Sequence, residues 1–360
     1  MQLGTVTSEP GAVASGWFEA TDLPTGGTER LPLVIAEGTD DGPTIWLTGG
    51  VHGDEATGVA AVQDAVRAVS PARLAGTVVA VPAVNPAGLR RNRRRSYYGD
   101  DDPNRGFPDP ESASTRPPEV QERIDRRLYE AFEESADALL DLHTAEVGSM
   151  PFVIRDRVLY GARRDESEAE ALAEDLSRLV DAFGLPVLTE YPAAEYVEQS
   201  LQRSLAGAAL NAAGIPAFTV ELGGHSVVDD DACRAGVAGI FAVMSELGMT
   251  EDLPAGVGEP GSESPDAPVD YPVRRAVHPR TETAGLVRHR VSPGDAVESG
   301  DVVATVTTPQ GEVLDTVTAD HDGYVVARKE GLAVYEGDPV LSMAVRDHGE
   351  LVVPEESNGE

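Results

Sequence analysis

Three stretches of the chain carry residue types that hold metal ions and move protons. In Gly49-Gly50-Val51-His52-Gly53-Asp54-Glu55-Ala56-Thr57-Gly58, His52 and Glu55 stand three residues apart across a glycine-rich turn. An imidazole nitrogen and a carboxylate oxygen can then reach one point, two-thirds of a His/Glu/His zinc site. His143 closes the run Ala138-Leu139-Leu140-Asp141-Leu142-His143, where a third ligand would come from. Strand alternation puts Asp141 on the same face, in position to orient a metal-bound imidazole. Glu221 ends another apolar run, Ala217-Phe218-Thr219-Val220. Burial there would raise its pKa toward neutrality, as a proton shuttle requires. Each also has a plain reading: a loop histidine, a surface histidine at a strand end, an edge acid.

A basic island lies between these stretches. Arg90, Arg91, Arg93, Arg94, Arg95 and Arg105 crowd into sixteen positions of an otherwise acidic chain. They read either as a solvated loop paired with Asp100, Asp101 and Asp102, or as a carboxylate clamp, because a guanidinium fork grips a carboxylate in bidentate fashion.

The elements that must position these groups are strands and helices in alternation. Pro43–Thr48, Thr77–Ala83, Ala138–Ala145 and Ala217–Leu222 are short, continuous apolar runs, the pattern of buried strands. Leu31–Ala36 reads as an earlier strand and Phe152–Ile154 as a further one. Helical spacing covers Glu55–Val69, Pro117–Ser135, Ser167–Phe183 with Ser167 as N-cap, Leu201–Ala213, and part of Val227–Leu247. The expected fold is α/β: a doubly wound mixed sheet over residues 1–250 with ligands at the carboxyl edge of its strands. A Pro/Gly/Ser-rich acidic linker (251–272), a small all-β domain (273–347) and a mobile acidic tail (348–360) would follow. The small domain contains an internal echo, "VSPGDAVESGDVVATV" and "GLAVYEGDPVLSMAV", as in a barrel-like sandwich of two related halves. Lys329 is not at a hairpin centre between those halves, which argues against a lipoyl- or biotinyl-carrier role.

Composition narrows the partners. With 62 acidic against 28 basic residues and a net charge of −34, the surface opposes nucleic acid and anionic membranes. All the basic residues but Lys329 are arginine. Such self-repulsion is tolerable where salt screens charges within ~3 Å, so the composition matches cytoplasmic proteins of salt-accumulating halophiles. An acidic interaction protein is the competing reading, against which the many periodic apolar segments weigh. Cys233 is the only cysteine and cannot form an internal disulfide. No apolar run approaches ~18 residues, and the first residues lack the pattern of a signal peptide. A homodimer is compatible with all of this.

Taken in order, "GGVHGDEATG", "NPAG", "DPNRGFP", "DLHTA" and "VELGG" resemble the succinylglutamate desuccinylase/aspartoacylase family of the zinc carboxypeptidase clan. The resemblance covers most of residues 40–225 and extends to a C-terminal small β-domain, although "RRNRRR" and "DPNR" depart from the usual family pattern. It implies one zinc ion held by His52, Glu55 and His143, with Glu221 as general base and acid. Asn104 and Arg105 would anchor the substrate carboxylate. Arg94, or Arg95 beside it, would polarise the scissile carbonyl. His225 is a candidate substrate contact. The implied activity is amide hydrolysis of a small anionic N-acyl amino acid. Three alternatives stay open: a carboxypeptidase, a deacetylase of an N-acetyl diamino acid that would need an unpaired acid in its pocket, and a non-catalytic binding protein.

Overall fold

The computed structural model describes residues 1–108, 117–224, 226–251, 253–262 and 266–355. His225 therefore lies outside the described residues, as do parts of the linker and the last five residues. Six strands of one twelve-stranded mixed sheet carry the site: β1 (Asp40–Gly49), β2 (Ala138–Ala145), β3 (Phe152–Arg155), β4 (Val187–Thr189), β5 (Ala217–Gly224) and β6 (Val273–Ala276). Their spatial order is β6-β4-β3-β5-β2-β1, followed by Ala75–Val81, Thr28–Glu37 and Ala12–Asp22 toward one edge. β1, β2 and β5 run parallel, whereas β3 opposes β5 and in turn runs parallel with β4 and β6. The continuous apolar runs are the central strands: every residue from Ala138 to Thr144 is buried, because helices cover both faces of such strands.

The helices α1 (Ala56–Ala68), α2 (Val120–Ser135), α3 (Glu166–Phe183) and α4 (Asp230–Glu246) form the outer layers. α1, α3 and α4 pack together on one face. α3 begins two residues earlier than the sequence pattern suggests. Its N-cap is Asp165, not Ser167, in a reciprocal capping box with Glu168. The single helix expected over Leu201–Ala213 is instead three short pieces: Leu201–Arg203, Leu205–Ala208 and a π-helical turn over Ala209–Ala213. Ser204 breaks it by capping the second piece through Gly207 N, a local bond that competes with helix continuation.

Part of the C-terminal β-region joins the main sheet, while Gly285–His289, Val302–Thr307, Val313–Thr318 and Ala333–Val334 form a four-stranded sheet of their own. β6 pairs in parallel with β4 at Thr189–Arg274 and antiparallel with Leu341–Arg346. The internal echo is realised as an exchange. The short strand Ala296–Val297 pairs with Gly323–Arg328 of the other half, and Ala333–Val334 pairs with Gly285–His289 of the first. The acidic tail, expected to be mobile, is tied down through residue 354. Val352–Pro354 pairs in parallel with Val158–Tyr160. Arg157, only 1% exposed, binds Asp347 and the Glu350 carbonyl. Charge predicted a free tail, but an apolar Leu-Val-Val segment inside it found a strand edge to complete.

Candidate active site

Two glycines bring the first two candidate ligands to the third. Gly50 adopts φ +63°, a left-handed turn at the end of β1 that only glycine enters at little cost. At Gly58, a Cβ would lie 2.2 Å from the Leu142 carbonyl oxygen, so any side chain would push α1 off β2. With α1 seated that closely, Thr144 Oγ accepts the backbone N–H groups of both Thr57 and Gly58 at 3.1 Å. Glu55, the N-cap residue, makes no side-chain cap of its own. A neighbouring strand supplies the missing cap, which leaves the Glu55 carboxylate free to face inward.

His52, Glu55 and His143 offer ligand atoms that all lie within 4.8 Å of one another, and all three are buried. His52 Nδ1 is 2.6 Å from Glu55 Oε1, and His143 Nδ1 is 2.8 Å from Glu55 Oε2. The outer nitrogens are held alike: His52 Nε2 lies 3.0 Å from Asp102 and His143 Nε2 lies 2.7 Å from Asp141. Asp141 is itself fixed by the Thr48 hydroxyl at 2.7 Å. Two nitrogens and a carboxylate aimed at one point, each imidazole backed by an aspartate, suit a borderline cation such as zinc. The electrostatics agree. Burial alone would raise the Glu55 carboxyl, but the two imidazoles outweigh it and hold it low. Burial alone would lower His143, yet Asp141 and Glu55 drive it well above its ordinary value.

Glu221 joins this group because β5 and β2 run in register, with Glu221 beside His143. Burial raises its pKa, His143 opposes the shift and the Glu55 charge adds to it. Arg94 is half exposed and spans Glu55 Oε1 at 3.3 Å and Asp102 Oδ2 at 3.1 Å. Its backbone is held by Asn85, whose amide binds the Val51 and Arg94 carbonyls while its oxygen caps Gly88. That gives the "NPAG" word a structural task. Arg105 lines the same cavity, and burial lowers its pKa. Asn104 lines it too, with its Oδ1 accepting Leu205 N at 2.7 Å.

The rest of the basic island turns elsewhere. Arg95, the second candidate for the carbonyl, is exposed and donates to the Asp100 carbonyl; it does not line the cavity. Arg90 grips buried Glu29 at 2.8 and 3.0 Å and donates to the Tyr97 hydroxyl at 2.9 Å. The crowding of arginines thus has two causes, one at the site and one in the fold.

Sequence reasoning missed several groups. Asp102 was named only as a partner for the arginines, which it is to Arg94; its place against His52 was missed, although an acid before Pro-Asn-Arg is an N-cap signal and it does accept Asn104 N. Arg275 on β6 had no local signal. It reaches the cavity from beyond the linker and pairs with buried Glu190 at 2.9 Å. Lys329 and Ser342, from the C-terminal strands, clasp the two oxygens of Glu146 at 2.5 and 3.0 Å just after β2. The cavity, of about 430 Å³, is walled by six carboxylates (Asp54, Glu55, Glu146, Asp156, Glu190, Glu221) and four cations (Arg94, Arg105, Arg275, Lys329).

Residues 41–247 match the succinylglutamate desuccinylase/aspartoacylase catalytic domain. That span is more than half the chain and contains every ligand candidate and the base candidate. The chain belongs to this family. As a member it is a hydrolase of amide carbon–nitrogen bonds other than peptide bonds. A curated relative, the N-alpha-acetyl-L-2,4-diaminobutyric acid deacetylase of Halomonas elongata, is 27% identical over 354 residues, 94% of each chain. The fold is shared with a succinylglutamate desuccinylase/aspartoacylase from Rhodobacter sphaeroides (TM-score 0.73, 22% identity, 96% of this chain and 100% of that one). It is also shared with the product-bound ectoine utilization protein EutE of Ruegeria pomeroyi (TM-score 0.71, 21% identity, 95% and 98%). Among the described residues, no helix of this family member is long and apolar enough to cross a membrane.

Proposed function

We propose that the chain is a zinc-dependent deacylase that hydrolyses the amide of a small N-acyl amino acid. His52, Glu55 and His143 would hold the metal, and Glu221 would transfer the proton. The observation that carries this reading is the convergence of His52 Nδ1, His143 Nδ1 and Glu55 in a cavity that Glu221 also lines. Zinc held there would supply an electrophile and lower the pKa of a water. Glu221, with its pKa raised, takes a proton from the attacking water and returns it to the amine as the C–N bond breaks. The products are a carboxylate and an amine. Arg94, at the cavity's open side, faces the carbonyl oxygen and stabilises the negative charge that develops on it. Arg105, desolvated and beside Asn104, binds the α-carboxylate. The Halomonas relative is named for an amide of this class, which supports the substrate assignment.

The test is turnover of N-acetyl, N-succinyl and dipeptide substrates by zinc-loaded protein at molar salt, with metal content measured. Glu221→Gln should lower kcat by about 10²–10⁴ while metal content holds. Cleavage confined to peptides with a free C-terminus, or a Glu221→Gln variant as fast as the parent, would refute the reading.

A further inference from the structure

The chain's only lysine stands in the cavity wall. Lys329 is the one ammonium side chain among 28 basic residues, the others all being arginine. Its Nζ lies 2.5 Å from Glu146 Oε1, and Ser342 Oγ donates to the other carboxylate oxygen at 3.0 Å. Glu146 is the first residue after β2 and lies just beyond His143. The C-terminal strands hold the residues after it as well. Val147 N donates to Glu330 Oε1 at 2.9 Å, and Met150 N donates to the Val326 carbonyl at 3.2 Å. An ammonium is a compact point charge on a flexible stem, whereas a guanidinium is a broad flat fork. A lysine kept here, in a chain that otherwise uses arginine, suits the narrow gap between two chain segments.

The two ends of the cavity differ. Arg105, the α-carboxylate anchor on the deacylase reading, feels the charges of Arg275 and Glu190. Those two lie on β6 and just past β4, on the far side of β3 and β5 from β2. With the amine half of an N-acyl amino acid at that end and its carbonyl at the candidate ligand set, the acyl group runs along the residues that follow His143. There it meets Ala145, Val326, Ala327 and Met343, and then the Glu146–Lys329 pair.

We propose, resting on the deacylase reading above, that Glu146 and Lys329 select the acyl group: Glu146 occupies the Lys329 ammonium and so turns away acyl chains that end in a carboxylate. Both Glu146 oxygens already have donors, and one of those donors is the Lys329 charge itself. A carboxylate brought to this wall must break that pair or lie unpaired against Glu146, and either is costly in a partly desolvated site. An uncharged chain of the same length leaves the pair intact and lies on apolar side chains. The cation that could bind an anionic acyl group is thus present, and a single carboxylate withholds it. Selectivity of this kind comes from a repulsive group as much as from an attractive one.

The experiment compares kcat/KM of the zinc-loaded full chain on the N-butanoyl and N-succinyl derivatives of one amino acid. The two acyl groups have the same chain length and differ by the terminal carboxylate. The parent should favour the butanoyl amide by about 10-fold or more, the scale of a hydrogen bond to a charged group. Glu146→Gln frees the ammonium and should move the ratio toward succinyl by about 10- to 100-fold. Lys329→Gln leaves Glu146 as a lone negative charge and should move the ratio the opposite way. A merely structural clasp would loosen in both variants and shift the ratio in one direction or not at all. That result, or a parent that favours succinyl, overturns the proposal. If Glu146→Gln does not fold, the parent ratio and its widening in Lys329→Gln decide. Calorimetric binding of butyrate and succinate separates this proposal from the deacylase reading. A butyrate preference that Glu146→Gln reverses, with neither amide hydrolysed, leaves the selector standing and removes the deacylase. Amide turnover with a ratio that neither variant moves keeps the deacylase and removes the selector.

Discussion

Thr144→Val isolates how the fold holds its ligand set. The substitution keeps the shape of the buried side chain and deletes the hydroxyl that accepts Thr57 N and Gly58 N, both at 3.1 Å. Two backbone donors in the first turn of α1 are then left in a buried site without a partner. At about 1 kcal/mol for each lost cap or hydrogen bond, the chain should lose about 2 kcal/mol. That corresponds to a fall in melting temperature of roughly 2–3 °C for a chain of this size. Glu55 immediately precedes the orphaned turn, so metal affinity should also drop by about 10-fold, as when an outer partner of a metal ligand is removed. Urea denaturation of the metal-free protein measures the first effect, and competition against a chromophoric chelator measures the second. A Thr144→Val variant that matches the parent in urea would show that the cap does not hold the helix. Lower stability with unchanged metal affinity would show that the cap does not position Glu55.

The tail anchor makes a second prediction. Arg157→Ala removes three hydrogen bonds to the 347–350 segment, two of them to Asp347, and leaves Asp347 uncompensated. It should cost about 3–5 kcal/mol in denaturant and expose the last residues to protease. Asp125 makes a third. It is fully buried in α2, with one oxygen bonded to Gln121 and the other without a partner. Burial pushes its carboxyl well above the ordinary value, and Glu122 adds to the shift. Because the folded state favours the protonated form, this group's contribution is intact below the unfolded pKa of about 3.9 and is lost as pH rises through the folded value. Asp125→Asn should therefore be neutral near pH 4 and increasingly stabilising toward neutrality, by about 1–2 kcal/mol; a gain that does not grow with pH would contradict this. Finally, a net charge of −34 predicts that the melting temperature climbs between 0.1 and 2 M salt as the Debye length falls from about 10 Å to below 3 Å.

Much of the site was legible without coordinates because its members sit on short local patterns. His52 and Glu55 share one glycine turn, while Asp141 and His143 share one strand face. Glu221 ends an apolar run. In each case the chemistry and the element that presents it lie within about eight residues, and the alternation of a strand or the sharpness of a turn states which way they face. The strand runs themselves followed from β-branched and apolar continuity, since strands buried on both faces admit little else. Local propensity failed where a competing local bond intervened, at Ser204 inside a would-be helix. It failed again where a segment's partner was remote, as in the tail that Arg157 and the Val158–Tyr160 strand hold down.

Short-range pattern was enough to determine the strands, the ligand-bearing turns and the acidic surface. Only the tertiary structure decided which arginine faces the candidate ligand set, that Asp102 backs His52, and that Thr144 caps a helix from a neighbouring strand. It also decided that Arg275, Lys329 and Ser342 come from beyond the linker to wall the cavity. The physical reason is that those choices are made by sheet register and by contacts between residues 39 to 196 positions apart. Nothing in the local chain reports a charge whose partner is that far away.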